Sequence, residues 1–135
     1  MTITIETQVK APLAAVWRAY TTPADIVHWN AASDDWHTPH ATVDLRVGGA
    51  FSWRMEAKDG SSGFDFAGTY TEVEPEHHLA YTFGERKAHV GFATGEEGVK
   101  VTITFEPEDT HPLEVQRAGW QAILDRFQRH VESTR

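Results

Sequence analysis

Cysteine is absent from this chain of 135 residues. Its absence excludes a disulfide framework, a thiol nucleophile and a metal site built on thiolates. It is also typical of a reducing compartment. No apolar run approaches the ~20 residues that a membrane span requires. The first residues, Met1–Glu6, lack a basic segment followed by an apolar stretch, so we expect no signal peptide and a cytoplasmic location.

Basic residues are also few, because 12 lysines and arginines face 20 aspartates and glutamates and give a formal charge of −8. No basic cluster is present that would follow a phosphate backbone, so we expect no nucleic-acid partner. The negative field disfavours binding to anionic membranes. The length predicts a single domain over residues 1–135, and the acidic surface is consistent with a monomer or a homodimer.

Signatures of metal and cofactor chemistry are missing from the sequence. Among the eight histidines, His28, His37 and His40 are close along the chain, but none has the spacing of a zinc site. No phosphate loop, nucleotide fingerprint or serine nucleophile elbow is present. We therefore assign no catalytic residue, no metal and no cofactor, and we favour a protein that is not an enzyme.

Alternation of apolar and polar residues with period two is the main pattern that is present. Such alternation predicts strands with one buried and one solvated face. A weaker seventh strand is predicted over Lys87–Thr94, and Arg54 and Asp65 fall on outer faces where they are expected to pair across a hairpin. The six main segments are Ile3–Val9, Val43–Val47, Phe51–Met55, Phe64–Tyr70, Leu79–Phe83 and Val99–Phe105.

Helical spacing occurs in three places. Pro12 and Pro23 each suit the first turn of a short helix, and residues 30–39 are predicted to form a loop. The spacing of Trp120, Ile123, Leu124, Phe127 and Val131 predicts one face of a long C-terminal helix. The predicted fold is therefore α+β: a curved antiparallel sheet of about seven strands wrapped on the C-terminal helix, with two short helices between strands 1 and 2.

Several short sequence words match a known family in the correct order. They are Ala11-Pro12 with Val16-Trp17, Thr22-Pro23 with Trp29, Gly48-Gly49-Ala50-Phe51, Gly68 to Pro75, Leu79 to Thr82, and Gly119-Trp120 with Leu124. With these words the chain resembles the START-like (SRPBCC, birch-allergen-like) superfamily, which has the helix-grip fold. More narrowly, it resembles homologues of the activator of the heat-shock protein 90 ATPase.

The resemblance implies a cavity between the sheet and the C-terminal helix that holds apolar small molecules such as lipids or polyketides. Our first hypothesis is therefore binding of a small, largely apolar ligand. A second is a cyclase or aromatase acting on a polyketide-like substrate. A third is a stress-related module that binds a protein partner, as the heat-shock protein 90 activator does. Fold alone does not decide among them.

The candidate ligand-binding residues are mostly aromatic side chains, which suit a hydrophobic core equally well. Trp53 and Tyr81 carry a polar group that needs a partner when it is buried. The loop over residues 29–37, which contains Trp29 and Trp36, is expected to lie at the cavity mouth as a lid. His89 and Gln116 are expected to face inward. The full set is Trp29, Trp36, Phe51, Trp53, Met55, Phe64, Phe66, Tyr81, Phe83, His89, Gln116 and Trp120.

Overall fold

A seven-stranded antiparallel sheet forms the frame of the protein, as the predicted α+β fold requires. The computed structural model describes residues 1–134. The strands follow the spatial order β1-β7-β6-β5-β4-β3-β2, so β1 and β2 lie at the two edges. Their bounds are β1 Ile3–Val9, β2 Trp36–Val43, β3 Ala50–Ala57, β4 Gly63–Glu74, β5 His78–Phe83, β6 Arg86–Gly95 and β7 Gly98–Phe105.

Three helices complete the fold. Two short ones, α1 (Leu13–Thr21) and α2 (Pro23–Trp29), lie between β1 and β2, and α3 (Leu113–Ser133) closes the described chain. Pro12 is the N-cap of α1 and Pro23 is the first residue of α2, where the missing N–H has no helical partner to lose. Over the described residues, none of these helices combines the length and the apolar character needed to cross a membrane.

The core lies between the concave face of the sheet and α3. Leu124, Phe127 and Val131 are buried on one face of this helix, while Trp120 and Ile123 of the same stripe are partly buried. On β7, alternate residues from Val99 to Phe105 are all buried beneath it. The predicted apolar stripe on the helix and the strands with one buried face are therefore confirmed. These two surfaces face each other, an arrangement that can enclose a cavity.

One predicted strand is wrong. The segment Val43–Val47 was expected to be a strand and residues 30–39 a loop, but β2 runs over Trp36–Val43 and residues 44–49 form a turn. The glycine at 48 adopts a φ of +84°, which suits a turn and not a strand. Because β2 is an edge strand, and Pro39 lies at an irregularity in its pairing with β3, it lacks the apolar alternation of the inner strands.

The sheet curls where β4 pairs with β5. The register shifts between Tyr70 and Glu72, which is a bulge that bends the strand. Two residues before Tyr70, a Cβ atom on Gly68 would lie 2.0 Å from the Thr82 carbonyl oxygen and 2.9 Å from the Phe51 ring. Glycine is therefore the residue that allows β4, β5 and the Phe51 ring to approach so closely.

Candidate functional site

A cavity of about 220 Å³ lies between the concave sheet and α3. Both the helices and the sheet bound it, since α1, α2, α3 and the inner faces of five strands contribute side chains. Most of these side chains are apolar, and one of them, Phe64, is exposed at the surface. The lining residues are Tyr20, Trp29, Asn30, Trp53, Met55, Phe64, Phe66, Tyr81, Arg86, Ile103, Trp120, Ile123 and Leu124.

Aromatic rings hold one another in place around the cavity. Trp29 stacks on Tyr20 with ring centroids 5.2 Å apart and meets Trp53 edge-on at 5.7 Å. Phe66 and Trp120 of α3 meet edge-on at 6.0 Å. The Trp29 indole N–H donates a hydrogen bond of 2.9 Å to the Ala19 carbonyl, which anchors α2 to α1. The wall is therefore preorganised and does not depend on a ligand to form.

Trp53 differs from Trp29 in the state of its indole nitrogen. Trp53 Nε1 is buried, and no acceptor from residues 1–134 lies within hydrogen-bond distance of it. Leaving such a donor unpaired costs about 1–3 kcal/mol. An acceptor atom on a bound molecule would remove that cost, so the unpaired donor is a feature of a binding wall more than of a filled core.

Two phenol groups also face the interior. Tyr20 and Tyr81 are both buried, and burial raises the pKa of each hydroxyl above its usual value. The two groups also interact with each other, which raises the pKa of Tyr81 further and partly lowers that of Tyr20. Both hydroxyls are therefore neutral at physiological pH, where they act as hydrogen-bonding groups in the wall.

Arg86 is the single cationic side chain among the lining residues. It occupies the first position of β6, two residues before the buried Ala88, so parity places it on the inner face. Its guanidinium carbon lies 4.4 Å from the centroid of the Phe83 ring, a cation–π contact. One terminal nitrogen, Nη1, donates a hydrogen bond of 3.3 Å to the Glu106 carbonyl.

The segment between α2 and β2 is attached to its surroundings at both ends. Asn30 Nδ2 donates to Thr38 Oγ1 at 3.1 Å, and both residues are buried. Asp34 forms an ion pair with Arg126 of α3. The hydrogen bond from Arg126 holds the pKa of the exposed Asp34 carboxyl below its usual range. Asn30 is the one residue of this segment that lines the cavity. That the segment acts as a lid remains a prediction.

Histidines lie apart from the cavity wall. His130 Nε2 on α3 lies 2.9 Å from Asp25 Oδ1 on α2, and its ring stacks on that of His28 with centroids 5.8 Å apart. This contact joins α2 to α3 behind the cavity. Across the described residues, no three histidine, aspartate or glutamate side chains converge in a way that would hold a metal ion.

Most of the predicted ligand-binding residues meet at the cavity. Phe51 and Phe83 pack directly behind the wall, against Tyr81 at 5.0 Å and Trp120 at 5.7 Å respectively, and both are buried. Those that line the cavity are Trp29, Trp53, Met55, Phe64, Phe66, Tyr81 and Trp120.

Three predicted residues lie elsewhere. The inward orientation expected for His89 is wrong: its neighbours Ala88 and Val90 occupy the inner face, so His89 is exposed on the outer face. Gln116 is buried, but its amide bonds the backbone of Glu108 and of His111 ahead of α3. Trp36 lies on the edge strand β2 outside the cavity, with its ring centroid 6.1 Å from that of Phe64.

The sequence prediction also missed several wall residues. Tyr20, Ile103, Ile123 and Leu124 were expected to be core, and nothing in their spacing separates core from cavity. Asn30 fell in the predicted loop. Arg86 was missed because the seventh strand was predicted to begin one residue later; extending its alternation backward from Val90 places residue 86 on the inner face.

The chain matches a known family over nearly all of its length. The family model described as "Activator of Hsp90 ATPase homolog 1-like protein" matches residues 10–132. The chain belongs to this family. The resemblance inferred from the sequence words is therefore confirmed, together with the START-like helix-grip fold. No curated protein matches the chain.

Solved structures of similar proteins have the same fold. The solution structure of an AHSA1-like protein from Aeromonas hydrophila is 47% identical, with a TM-score of 0.94 over 99% of this chain and 94% of that one. A Cytophaga hutchinsonii protein is 41% identical, with a TM-score of 0.85 over 98% and 93%. A Nitrosomonas europaea protein at 21% identity has a TM-score of 0.82 over 99% and 96%, which shows likeness of fold alone.

Proposed function

We propose that this member of the AHSA1-like family binds a small, largely apolar ligand in the cavity between the sheet and α3. The unpaired indole N–H of Trp53 in a mostly apolar wall is the observation that carries this proposal. Ligand pockets typically combine apolar walls with a few placed polar groups. Here the polar groups are Trp53 Nε1, the Tyr20 and Tyr81 hydroxyls, the Asn30 amide and Arg86.

The cavity volume limits the size of the ligand. A dry engineered cavity of about 150 Å³ holds benzene, whereas drug-sized ligands occupy pockets of about 300–1,000 Å³. The cavity here measures about 220 Å³ and falls between these values. A molecule with one ring or two fused rings, or with a short acyl chain, fits without movement of the wall. Among lipids and polyketides, the volume therefore favours the smaller molecules as ligands.

The two alternative functions have weaker support. A cyclase or aromatase needs an acid or base whose pKa lies near the working pH. The titratable side chains that line the cavity are Tyr20, Tyr81 and Arg86, and burial moves the pKa of both tyrosines away from neutrality. A protein-interaction module of the heat-shock protein 90 activator type binds its partner through its surface and does not need an open interior. The raised tyrosine pKa values therefore favour ligand binding over the enzyme, and the open cavity favours it over the interaction module.

Native mass spectrometry of gently purified protein tests the proposal, together with a variant that fills the cavity. Ile123 lines the cavity and is only partly buried, so Ile123→Phe adds volume to the wall with little disturbance of the core. Ala118 is exposed on the same helix, and Ala118→Phe is the matched control. We expect an added mass on the wild-type protein and on the control, and its loss from Ile123→Phe.

Thermal shift with a panel of neutral one-ring and two-ring aromatic compounds covers the case in which the natural ligand is lost during purification. A ligand that binds only the folded state raises the melting temperature. We expect a rise for the wild-type protein and for Ala118→Phe, and none for Ile123→Phe. Bare protein in the mass spectrum together with no shift for any compound would contradict the proposal.

A further inference from the structure

Arg86 places a positive charge at the wall of an apolar cavity, and no carboxylate of residues 1–134 lies within 4.0 Å of its nitrogens. Arginine carries five N–H donors in a planar fork, and a single one is used, by the Glu106 carbonyl. The remaining donors are available to an acceptor. The Phe83 ring, whose centroid lies 4.4 Å from the guanidinium carbon, holds this charge beside the cavity.

The acidic residues nearest in sequence and space do not replace such a partner. Glu85, Glu106, Glu108 and Asp109 border a second groove that Arg86 also reaches. The Glu106 carboxylate accepts the Lys87 N–H at 2.6 Å, and the Glu108 carboxylate is held by His111 at 2.7 Å. Glu85 is exposed at the turn between β5 and β6. Two of the four carboxylates already bond other groups, and none of the four lies within 4.0 Å of an Arg86 nitrogen.

The charge on Arg86 acts on both sides of its position. On the cavity side, it opposes the rise in the pKa of Tyr81 that burial causes. On the groove side, it adds to the lowering of the Glu108 pKa, for which the hydrogen bond from His111 is the main cause. The guanidinium thus stands between the apolar interior and the solvent-facing groove, where the polar end of a bound molecule would lie.

We propose that the ligand is a small aromatic acid, with its ring in the cavity and its carboxylate bound by Arg86. This deepens the proposed function and rests on it. A guanidinium fork matches a carboxylate in bidentate geometry, and the surrounding aromatic rings suit an aromatic body. The formal charge of −8 repels an anion at long range. Arg86 is the local group that offsets this repulsion at the cavity.

Two probes of equal shape separate ring binding from acid recognition. One is 2-naphthoate, whose carboxylate is ionised at neutral pH, and the other is 2-naphthamide, which has the same ring system and no charge. Titration is followed by the fluorescence of the five tryptophans and by amide NMR shifts. We expect the wild-type protein to bind 2-naphthoate about tenfold more tightly than 2-naphthamide, because only the carboxylate accepts a charge-assisted hydrogen bond.

The variant Arg86→Gln keeps a polar side chain and removes the charge. We expect its affinity for 2-naphthoate to fall about tenfold and its affinity for 2-naphthamide to fall by less, because the neutral probe loses no charge-assisted hydrogen bond. Arg46→Gln is the matched control, because Arg46 is an exposed arginine away from the cavity that pairs with Asp44. It should leave both affinities unchanged. Circular dichroism of both variants verifies that they are folded.

The outcomes distinguish this inference from the proposed function. Equal wild-type affinities for the two probes overturn acid recognition and leave cavity binding intact, and this comparison needs no variant. An unchanged affinity of folded Arg86→Gln for 2-naphthoate also overturns it. If neither probe binds and the neutral aromatic panel gives no thermal shift, the cavity-binding proposal itself fails.

Discussion

The indole ring of Trp120 on α3 lies parallel to the ring of Phe105 on β7, with centroids 3.8 Å apart and planes 6° from parallel. Phe105 is fully buried, whereas Trp120 is partly buried and lines the cavity. One face of the indole therefore joins the helix to the sheet, and other parts of the same side chain form part of the cavity wall. The cavity depends on this contact, because it fixes the distance between the two layers.

Replacing Trp120 with alanine removes this contact. We expect Trp120→Ala to lower the free energy of unfolding by about 3 kcal/mol, from lost buried area and a lost ring pair. Trp36→Ala is the matched control, since Trp36 is also partly buried but contacts a single ring, that of Phe64, at 6.1 Å. Its cost should be about 1 kcal/mol. Urea unfolding measures both, and equal costs would contradict the role given to Trp120.

Trp29 and Trp53, two buried tryptophans that both contact Tyr20, allow a comparison of the same substitution at two sites. Tryptophan to phenylalanine removes an indole N–H from each, but Trp29 Nε1 is bonded to the Ala19 carbonyl and Trp53 Nε1 is unpaired. We expect Trp29→Phe to destabilise the protein by about 1–2 kcal/mol more than Trp53→Phe. Chemical denaturation measures the difference. If Trp53→Phe proves to be the more costly change, its indole N–H has an acceptor in the free protein.

Much of the fold follows from the sequence because its inner strands each have one buried face. The alternation in β3, β5 and β7 and the stripe on α3 specify which sides meet, and they were predicted correctly. The edge strand β2 was misplaced because it buries a single side chain, that of Thr38, whereas the other edge strand, β1, has an alternating buried face. Its location depends on pairing with β3, including an irregularity near Pro39, and pairing is a long-range property.

The cavity could be predicted only in part, for a different physical reason. Parity tells whether a side chain faces inward, but an inward ring such as Phe51 fills the core while Phe66 borders open space. The difference depends on the separation between α3 and the sheet, which no local pattern encodes. Arg86 was within reach of parity, whereas the unpaired state of Trp53 Nε1 required the complete three-dimensional arrangement.

Gly119 occupies an interior position of α3, next to Trp120, where a Cβ would meet nothing within 4 Å. Glycine is unfavourable in a helix interior by about 0.8–1.0 kcal/mol relative to alanine. We therefore expect Gly119→Ala to stabilise the protein by about 0.5–1 kcal/mol in thermal or urea unfolding. A loss of stability would show that the helix needs the glycine at this position.

Gly68→Ala should have the opposite effect. The added Cβ would fall 2.0 Å from the Thr82 carbonyl oxygen, so β4 and β5 would have to separate. We expect a loss of about 1–3 kcal/mol, typical of overpacking. Gly95→Ala is the control within the same sheet, because a Cβ there meets nothing within 4 Å. The close approach inferred at residue 68 would be disproved if the two variants unfolded at the same urea concentration.

The three tyrosines provide a pH-dependent test of the buried aromatic interior. Burial raises the pKa of Tyr70 to about 12 and raises those of Tyr20 and Tyr81 as well. In the unfolded chain all three ionise near pH 10. Because folding favours the neutral phenols, their contribution to stability is complete below about pH 10 and is lost as the pH rises toward the folded-state values.

Phenolate absorbance and far-ultraviolet circular dichroism, recorded together in an alkaline titration, measure this effect. We expect the absorbance to stay flat through about pH 10 and to rise only at higher pH, as Tyr70 ionises or the protein unfolds. Each single Tyr→Phe variant assigns its share of the rise. A full tyrosine equivalent ionising near pH 10 with the circular dichroism intact would contradict this expectation, because at least one of these hydroxyls would then reach solvent.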